Sequence, residues 1–304
     1  MSTRFPFNVV ANGGNASFQN FGVQGSAQLD FNLVPGIGTN AIGIDDAGTP
    51  NNSDDAFDDA LMVSVNGTLV TNADNAAEVL SGPAGTNVIF DPLVPVGLSA
   101  EQTFFAFDSD PLLREFFSLT NTGGSTVSIQ IESASNLGSD ADGVIQSDSS
   151  LDGTFDANDT FVVFDDPSDA GTGQSENDPD TLFVFHGAGA EVSPTTAGLF
   201  FTDDVNALFE FDLAPGETKS LLIFAGVFDE VIFQPIASQT LGTTLSGDLQ
   251  ALGAGGYLAG LSQAQVDSVV NYGGSFTVIP LPAGAWLLLS GLVGLAALRT
   301  RKSA

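Results

Sequence analysis

In FFSLTNTGGSTVSIQI, residues 116–131, the architecture is already visible. Val127, Ile129 and Ile131 alternate with Ser128 and Gln130. That period of two sets one face of a strand against a core and the other in water. Asn121 to Gly124 supplies turn residues, so the stretch predicts two strands joined as a hairpin. The same period recurs on either side. In SAQLDFNL, Leu29, Phe31 and Leu33 alternate with polar neighbours, and Leu61, Val63 and Val65 run into Asn66-Gly67, the pair best suited to a type I′ hairpin. A third hairpin is predicted where Phe209, Phe211 and Leu213 lead to Pro215-Gly216 and LLIFAGVF, residues 221–228, returns as a strand buried on both faces. Roughly a dozen or more such segments predict an all-β protein, a large antiparallel β-sandwich.

Helix signals are scarce. LSQAQVDSVVNYGG, residues 261–274, places Ser262 and Gln265 at capping-box spacing and Val266, Val269 and Val270 on one face, with Gly273 placed to end the helix. One short C-terminal helix covering an end of the sandwich is therefore expected. The sandwich is assigned to residues 1–275, with a possible sub-boundary near residue 100.

The charge balance narrows the function classes. The 304-residue chain carries 37 acidic against 6 basic residues, a formal charge of −31, and only Arg4, Arg114 and Lys219 are basic before the last six positions. Such a body repels nucleic acid and anionic membrane surfaces. A nucleic-acid role is excluded on this ground. With no cysteine, a disulfide framework and thiol chemistry are excluded as well.

The last residues break with this pattern. From Ala283 to Leu298 there is no charge, and counting back to Ile279 gives the roughly 20 residues that a helix needs to cross a bilayer. Arg299, Arg301 and Lys302 follow as a basic stop, which puts the body on the extracytoplasmic side. Pro280 and Pro282 keep Ile279, Pro280, Leu281, Pro282 and Ala283 extended, a form suited to a protease or transpeptidase. The expected divisions are thus a linker and motif at 276–282, a transmembrane helix at 283–298 and a basic cytoplasmic end at 299–304.

IPLPAGAWLLLSGLVGLAALRTRK resembles the VPLPA-type C-terminal sorting signal, a relative of the PEP-CTERM signal of exported bacterial proteins, with Ile279 in place of the leading valine. The resemblance implies recognition by an exosortase-like membrane enzyme, removal of the tail and delivery to the cell surface or extracellular matrix. A plain membrane anchor and a buried core helix are the competing readings. Such proteins are expected to begin with a secretory signal, and MSTRFPFNVVANGGNASF has no apolar segment after Arg4. In the body, LREFFSLTNTGGSTVSIQIESASNLGSD with TFDANDTFVVFDD and LAPGETKSLLIF resembles a β-sandwich domain of secreted bacterial proteins.

Candidate chemistry is sparse. His186, at the end of TLFVFH, is expected to hold a structural hydrogen bond, and a lone histidine without cysteine cannot assemble a zinc site. Arg114 is expected to form a structural ion pair. Gly36-Ile-Gly38 opens no helix and is not a nucleotide site. Hard oxygen ligands for calcium are offered by Asp140 and Asp142 in DADG and by Asp152, Asp156, Asn158 and Asp159 in DGTFDANDT, although neither follows the EF-hand pattern. Solvated acidic loops are the competing account. The reading is an exported surface or matrix protein of structural or adhesive type, not an enzyme. The alternative is a calcium-dependent carbohydrate-binding module acting on extracellular polysaccharide, and third comes a carboxylate-based glycoside hydrolase or lyase.

Overall fold

The computed structural model describes residues 7–12, 15–20, 27–32, 41–46, 57–72, 78–82, 84–90, 92–107, 112–136, 144–165, 180–200, 204–228 and 235–278. Its first strands are β1 (Phe7–Asn12), β2 (Asn15–Asn20), β3 (Ala27–Asn32), β4 (Ala41–Asp46), β5 (Phe57–Val65), β6 (Thr68–Leu69) and β7 (Thr71–Asn72). Then come β8 (Glu78–Gly82), β9 (Gly85–Phe90), β10 (Pro92–Leu93), β11 (Leu98–Phe107), β12 (Leu112–Asn121), β13 (Val127–Asn136) and β14 (Val144–Asp148). The last strands are β15 (Phe161–Asp165), β16 (Asp180–Val184), β17 (Pro194–Phe200), β18 (Asp204–Leu213) and β19 (Thr218–Phe228), followed by helices α1 (Pro235–Leu245), α2 (Leu249–Gly255) and α3 (Gln263–Asp267).

One antiparallel sheet of nine strands runs β1-β2-β3-β4-β5-β13-β18-β17, with β6 paired to β5. An eight-stranded antiparallel sheet runs β14-β15-β16-β19-β12-β11-β9-β8, and β10 pairs β7 separately. Alternation brings the two sheets together. Leu61, Val63 and Val65 of β5, Ile129 and Ile131 of β13, and Val205, Ala207 and Phe209 of β18 meet Phe104 of β11, Phe117 and Leu119 of β12, and Leu221 and Ile223 of β19 in one core. The architecture is the all-β sandwich read from the sequence.

A third layer backs the eight-stranded sheet. Phe105, Phe116, Leu222, Phe224, Leu182 and Val163 point away from the first core and meet Leu245, Leu249, Leu252, Leu261 and Val266 of the helical segment in a second core. β19 is consequently buried on both faces, as LLIFAGVF implied. The helices lie over a sheet face instead of capping an end, and there are three of them among the described residues. α3 does start at the Ser262 and Gln265 capping box, but it stops at Asp267, well before Gly273. Pairing overrides helix propensity here: Ser220 N donates to Ser268 O and Val270 N donates to Ser220 O, at 2.8 and 3.0 Å. Val266 and Val269 therefore face the helix-side core while Val270 reaches the core between the sheets.

Of the three expected hairpins, the structure keeps one. Asn66 and Gly67 have φ of 51° and 72°, and β5 folds back onto β6 as a type I′ turn requires. The other two turns are corners between sheets: β12 belongs to one sheet and β13 to the other, and so do β19 and β18. A polar turn looks the same in either case. The two corners are tied together by Asn121, which is fully buried. Its Nδ2 donates to Leu213 O and Ser125 O at 2.9 and 2.8 Å, its Oδ1 accepts from Gly123 N at 2.9 Å, and its main chain bonds Gly216 and Glu217.

Among the described residues no helix is long and apolar enough to cross a membrane. The expected span at 283–298, the motif Ile279 to Ala283 and the basic end at 299–304 lie outside the described residues.

Replacing Asn121 by Ala should remove about 2–3 kcal/mol of stability, because the Leu213 and Ser125 carbonyls lose their donor in a buried corner. Thermal unfolding should then occur roughly 5–10 °C lower. Asn121→Asp, which keeps the acceptor and loses the donor, should be nearly as damaging. An unchanged melting temperature in both variants would show that the corners hold without this side chain.

Candidate functional site

The acidic loop between β14 and β15 was one expected site. Asp148, at the end of β14, is fully buried and accepts from Ser150 Oγ at 2.8 Å, Asp152 N at 3.2 Å and Gly153 N at 2.7 Å. Asp159 is also buried; its Oδ1 accepts from Ser149 Oγ and Ser150 N, each at 3.0 Å, and its Oδ2 from Asp156 N at 3.0 Å. Asp152 and Asp156 accept from Thr154 N and Asn158 N two residues on, in turns of their own. Phe155 anchors the loop, stacked on Phe185 at 5.5 Å between centroids. The carboxylates are thus taken up by N–H and O–H donors of the loop itself. Burial alone would raise the Asp148 carboxyl, but the Ser150 hydroxyl and the amides of Gly153, Asp152 and Leu151 hold it below the ordinary carboxylate value.

Among the described residues no three His, Cys, Asp or Glu side chains converge on a point that could hold a metal ion. Asp152, Asp156, Asn158 and Asp159 occupy one loop without sharing a centre, and Asp140 and Asp142 lie outside the described residues. Asp148, which shares Ser150 as a donor with Asp159, was missed as the other carboxylate that organises the loop. Its signal was the Ser150 and Gly153 that follow it, both suited to donate back to an aspartate.

His186 ends β16's extension into the core, with Nε2 donating to Asp159 O at 3.1 Å. Burial lowers its pKa despite that bond, so the ring is neutral at physiological pH. Arg114 and Glu115 are neighbours on β12 and so point to opposite faces. Both are fully buried. Arg114 enters the helix-side core, where Nη1 donates to Tyr257 O at 2.7 Å and Ala259 O at 2.8 Å and the guanidinium lies over the Phe105 ring at 4.9 Å. The expected ion pair is replaced by carbonyls: among the described residues no carboxylate lies within ion-pair distance of Arg114. Burial lowers Arg114 to about 9. Glu115 enters the core between the sheets. There burial pushes it from 4.5 to about 8, against the opposing effect of Gln102 Nε2, which donates to Oε1 at 2.7 Å. Sealed from solvent, neither group can reach a substrate.

The outer face of the nine-stranded sheet is different. It has no helical cover among the described residues, and β13 and β18 present a polar ladder there. Ser128 Oγ donates to Asp212 Oδ1 at 2.7 Å, Gln130 Nε2 to Glu210 Oε1 at 2.6 Å, and Asn206 Nδ2 to Glu132 Oε1 at 2.9 Å. Asn66 joins from the I′ turn, its Oδ1 accepting from Gln130 N at 2.8 Å. Asn66, Ser128, Gln130, Glu210 and Asp212, with Ile129 and Phe211, line an open depression of about 440 Å³. The second oxygens of Glu210 and Asp212, Gln130 Oε1 and Asn66 Nδ2 have no protein partner among the described residues. Sequence reading missed this site because its polar residues look like the wet side of any half-buried strand.

No protein-family model matches the chain, and no curated protein matches it in sequence. Among solved structures it is similar to a heparan sulfate lyase HepC mutant from Pedobacter heparinus, at 9% identity over 74% of this chain and 37% of that one, with a TM-score of 0.44. A GH36 alpha-galactosidase, AgaB, from Geobacillus stearothermophilus gives 12% identity, 73% and 41% coverage and a TM-score of 0.41. A kojibiose phosphorylase described as putative, from the human microbiome, gives 10%, 81%, 33% and 0.40. The chain spans less than half the length of each of these proteins.

Glu115 sets a pH dependence. Its pKa in the folded chain, about 8, lies above the ordinary 4.5, so between these values the folded state holds a proton that the unfolded state has released. The contribution is complete below the lower value and is lost as pH rises through the upper one. Denaturant unfolding should therefore show stability falling by on the order of a few kcal/mol from about pH 5 to pH 8. Glu115→Gln should flatten this slope and be the more stable form at pH 8. Parallel profiles for the two proteins would show that Glu115 does not carry the effect.

Proposed function

We propose that this chain is an exported, surface-displayed β-sandwich of adhesive or structural type that holds extracellular polysaccharide on the open face of its nine-stranded sheet. The Ile279 to Ala283 motif, the apolar stretch and the basic stop at Arg299, Arg301 and Lys302 make its tail a cleavable sorting signal for an exosortase-like enzyme. The observation that carries the adhesive reading is the depression lined by Asn66, Ser128, Gln130, Glu210 and Asp212. Its free amide, carbonyl and carboxylate positions match a ligand that offers many hydroxyls, each both donor and acceptor. The depression is open, which suits a long polymer lying across the strands and not a small molecule enclosed on all sides. The body's strong negative charge selects neutral over anionic polymers.

A hydrolytic reading of the same face is less well supported. Glycosidases need two carboxyl groups in different surroundings, one kept protonated by a dry pocket. Glu210 and Asp212 both stand exposed on one strand. Calcium is not part of the proposal, because among the described residues no three carboxylates converge on one point.

Two measurements test this reading. The intact mass of protein recovered from the surface or medium of its native host should lack everything after the 280–283 region; a mass that retains Arg301 and Lys302 would make the tail a permanent anchor. Affinity electrophoresis in gels containing neutral polysaccharides should show retardation that EDTA does not relieve. A Gln130→Ala/Glu210→Ala variant should bind about 10-fold more weakly or worse, with its melting temperature nearly unchanged. Retardation lost with EDTA would favour the calcium-dependent alternative, and release of reducing ends would favour the hydrolase.

A further inference from the structure

The folded body hands its chain to the tail through a small clasp. After Gly273, whose N–H donates to Ala188 O and whose carbonyl accepts from Leu249 N, residues 274–278 take no regular structure. One side chain fixes them. Gln263, in the first turn of α3, donates from Nε2 to Phe276 O at 2.9 Å and accepts at Oε1 from Val278 N at 2.7 Å. A primary amide that bonds the carbonyl of one residue and the N–H of the second residue on imitates a neighbouring β-strand. The same Nε2 also donates to Asp267 Oδ1 at 2.7 Å, which sets the rotamer of Gln263. The Phe276 ring completes the clasp by lying on Gly253 of α2. A Cβ at Gly253 would come within 2.2 Å of it, so only glycine leaves room for the ring.

Val278, the last residue held, immediately precedes Ile279. Ala283 lies five positions beyond Val278, at most about 18 Å of fully extended chain. An enzyme that cleaves or transfers a peptide takes it as an extended strand and bonds the main-chain N–H and C=O groups on both sides of the reacting bond. On the body side of the motif, Phe276 O and Val278 N are already used by Gln263.

We propose that Gln263, with the Phe276 seat on Gly253, is a clasp that controls presentation of the 279–283 segment to its processing enzyme, an inference that rests on the sorting reading above. Processing then requires local release of residues 276–278, and its rate follows the fraction of molecules with the clasp open. Removing the amide raises that fraction. Gln263→Glu weakens the clasp in a pH-dependent way, because a carboxylate facing Phe276 O and the Asp267 carboxylate repels both, whereas the protonated acid can donate again.

The test uses purified full-length protein in detergent, treated with chymotrypsin, which cuts after aromatic residues such as Phe276; cleavage at that residue is followed by intact mass. Gln263→Ala should be cut there about 10-fold faster than the wild type, the factor expected when hydrogen bonds of ordinary strength are lost from the closed state. Gly253→Ala should behave alike, and Gln263→Glu should be cut faster than the wild type at neutral pH, the ratio of the two rates at equal pH, which cancels the protease's own pH dependence, shrinking as pH falls toward about 5. Melting temperatures should stay close to wild type, which separates clasp opening from global unfolding. Equal cleavage rates in all four proteins would overturn the clasp. In the native host the same substitutions should speed tail removal. Faster chymotrypsin cleavage with a tail that no strain ever removes would leave the contact real but overturn its role, since the sorting reading itself would have failed.

Discussion

Burial of the eight-stranded sheet on both faces is the constraint on which the rest of the molecule depends. A strand in such a sheet has no wet side, so every side chain along β12 and β19 must be apolar or have its polar atoms met inside the protein. β12 meets this demand with apolar residues and only in part at its two charged ones, where Arg114 Nε and Nη2 and Glu115 Oε2 lack a partner among the described residues. Leu113, Phe117 and Leu119 face one core and Leu112 and Phe116 the other, and between them Arg114 and Glu115 are driven inside with only neutral partners. The helical segment supplies what the sheet lacks. Tyr257 and Ala259 offer carbonyls to Arg114, and Asn271 closes the gap beside β19 by donating to Phe185 O and Leu222 O while accepting from Leu222 N. Fully burying a Phe or Leu side chain stabilises by about 1.5–3 kcal/mol, so the many apolar residues of β11, β12, β16 and β19 outweigh two unpaired ionisable groups.

From this covering an asymmetry follows. The helical layer occupies the outer face of one sheet, which leaves the nine-stranded sheet to meet solvent and any partner. On β13 and β18 its exposed polar residues are joined in cross-strand pairs, Ser128 with Asp212 and Gln130 with Glu210. Pairs of this kind are held in place before a ligand arrives, so binding costs little side-chain entropy. The open face thus belongs to the sheet that the helical layer leaves uncovered among the described residues.

Much of this was legible in the sequence, and the parts that were not share a physical origin. Period-two alternation located β13 and β18, and Asn66-Gly67 located its hairpin, because these signals are local. Corners at Asn121 and Pro215 carry no local mark of which sheet the next strand will join. The change across each corner does: FFSL is apolar on consecutive positions and VSIQI alternates, as befits one sheet covered twice and one covered once. The end of α3 was misplaced because Ser268 to Val270 pair with Ser220, a contact some fifty residues away in sequence that propensity cannot see. In the acidic loop, carboxylate spacing alone did not distinguish metal ligands from acceptors of the loop's own amides. The depression is a property of two strands and a turn seen together, and no single segment contains it.

The acidity of the chain acquires a structural meaning from the same details. With Arg114 turned into a core, Lys219 is the one cation of the described residues that pairs with carboxylates, at 2.9 Å from Glu191 and 3.9 Å from Glu217. Everywhere else the described carboxylates that are held are held by neutral donors: Asp148 and Asp159 by amides and serines, Glu210 by Gln130, Asp212 by Ser128, Glu132 by Asn206 and Glu115 by Gln102. Hydrogen bonds to neutral groups survive added salt, whereas repulsion among uncompensated charges is screened beyond a Debye length of about 8 Å at physiological ionic strength. Apart from the Lys219 pairs, which salt weakens, ionic strength therefore acts on the described contacts in one direction. It relieves the self-repulsion of the acidic body and leaves intact the hydrogen bonds that define its acidic loop, its corners and its open face.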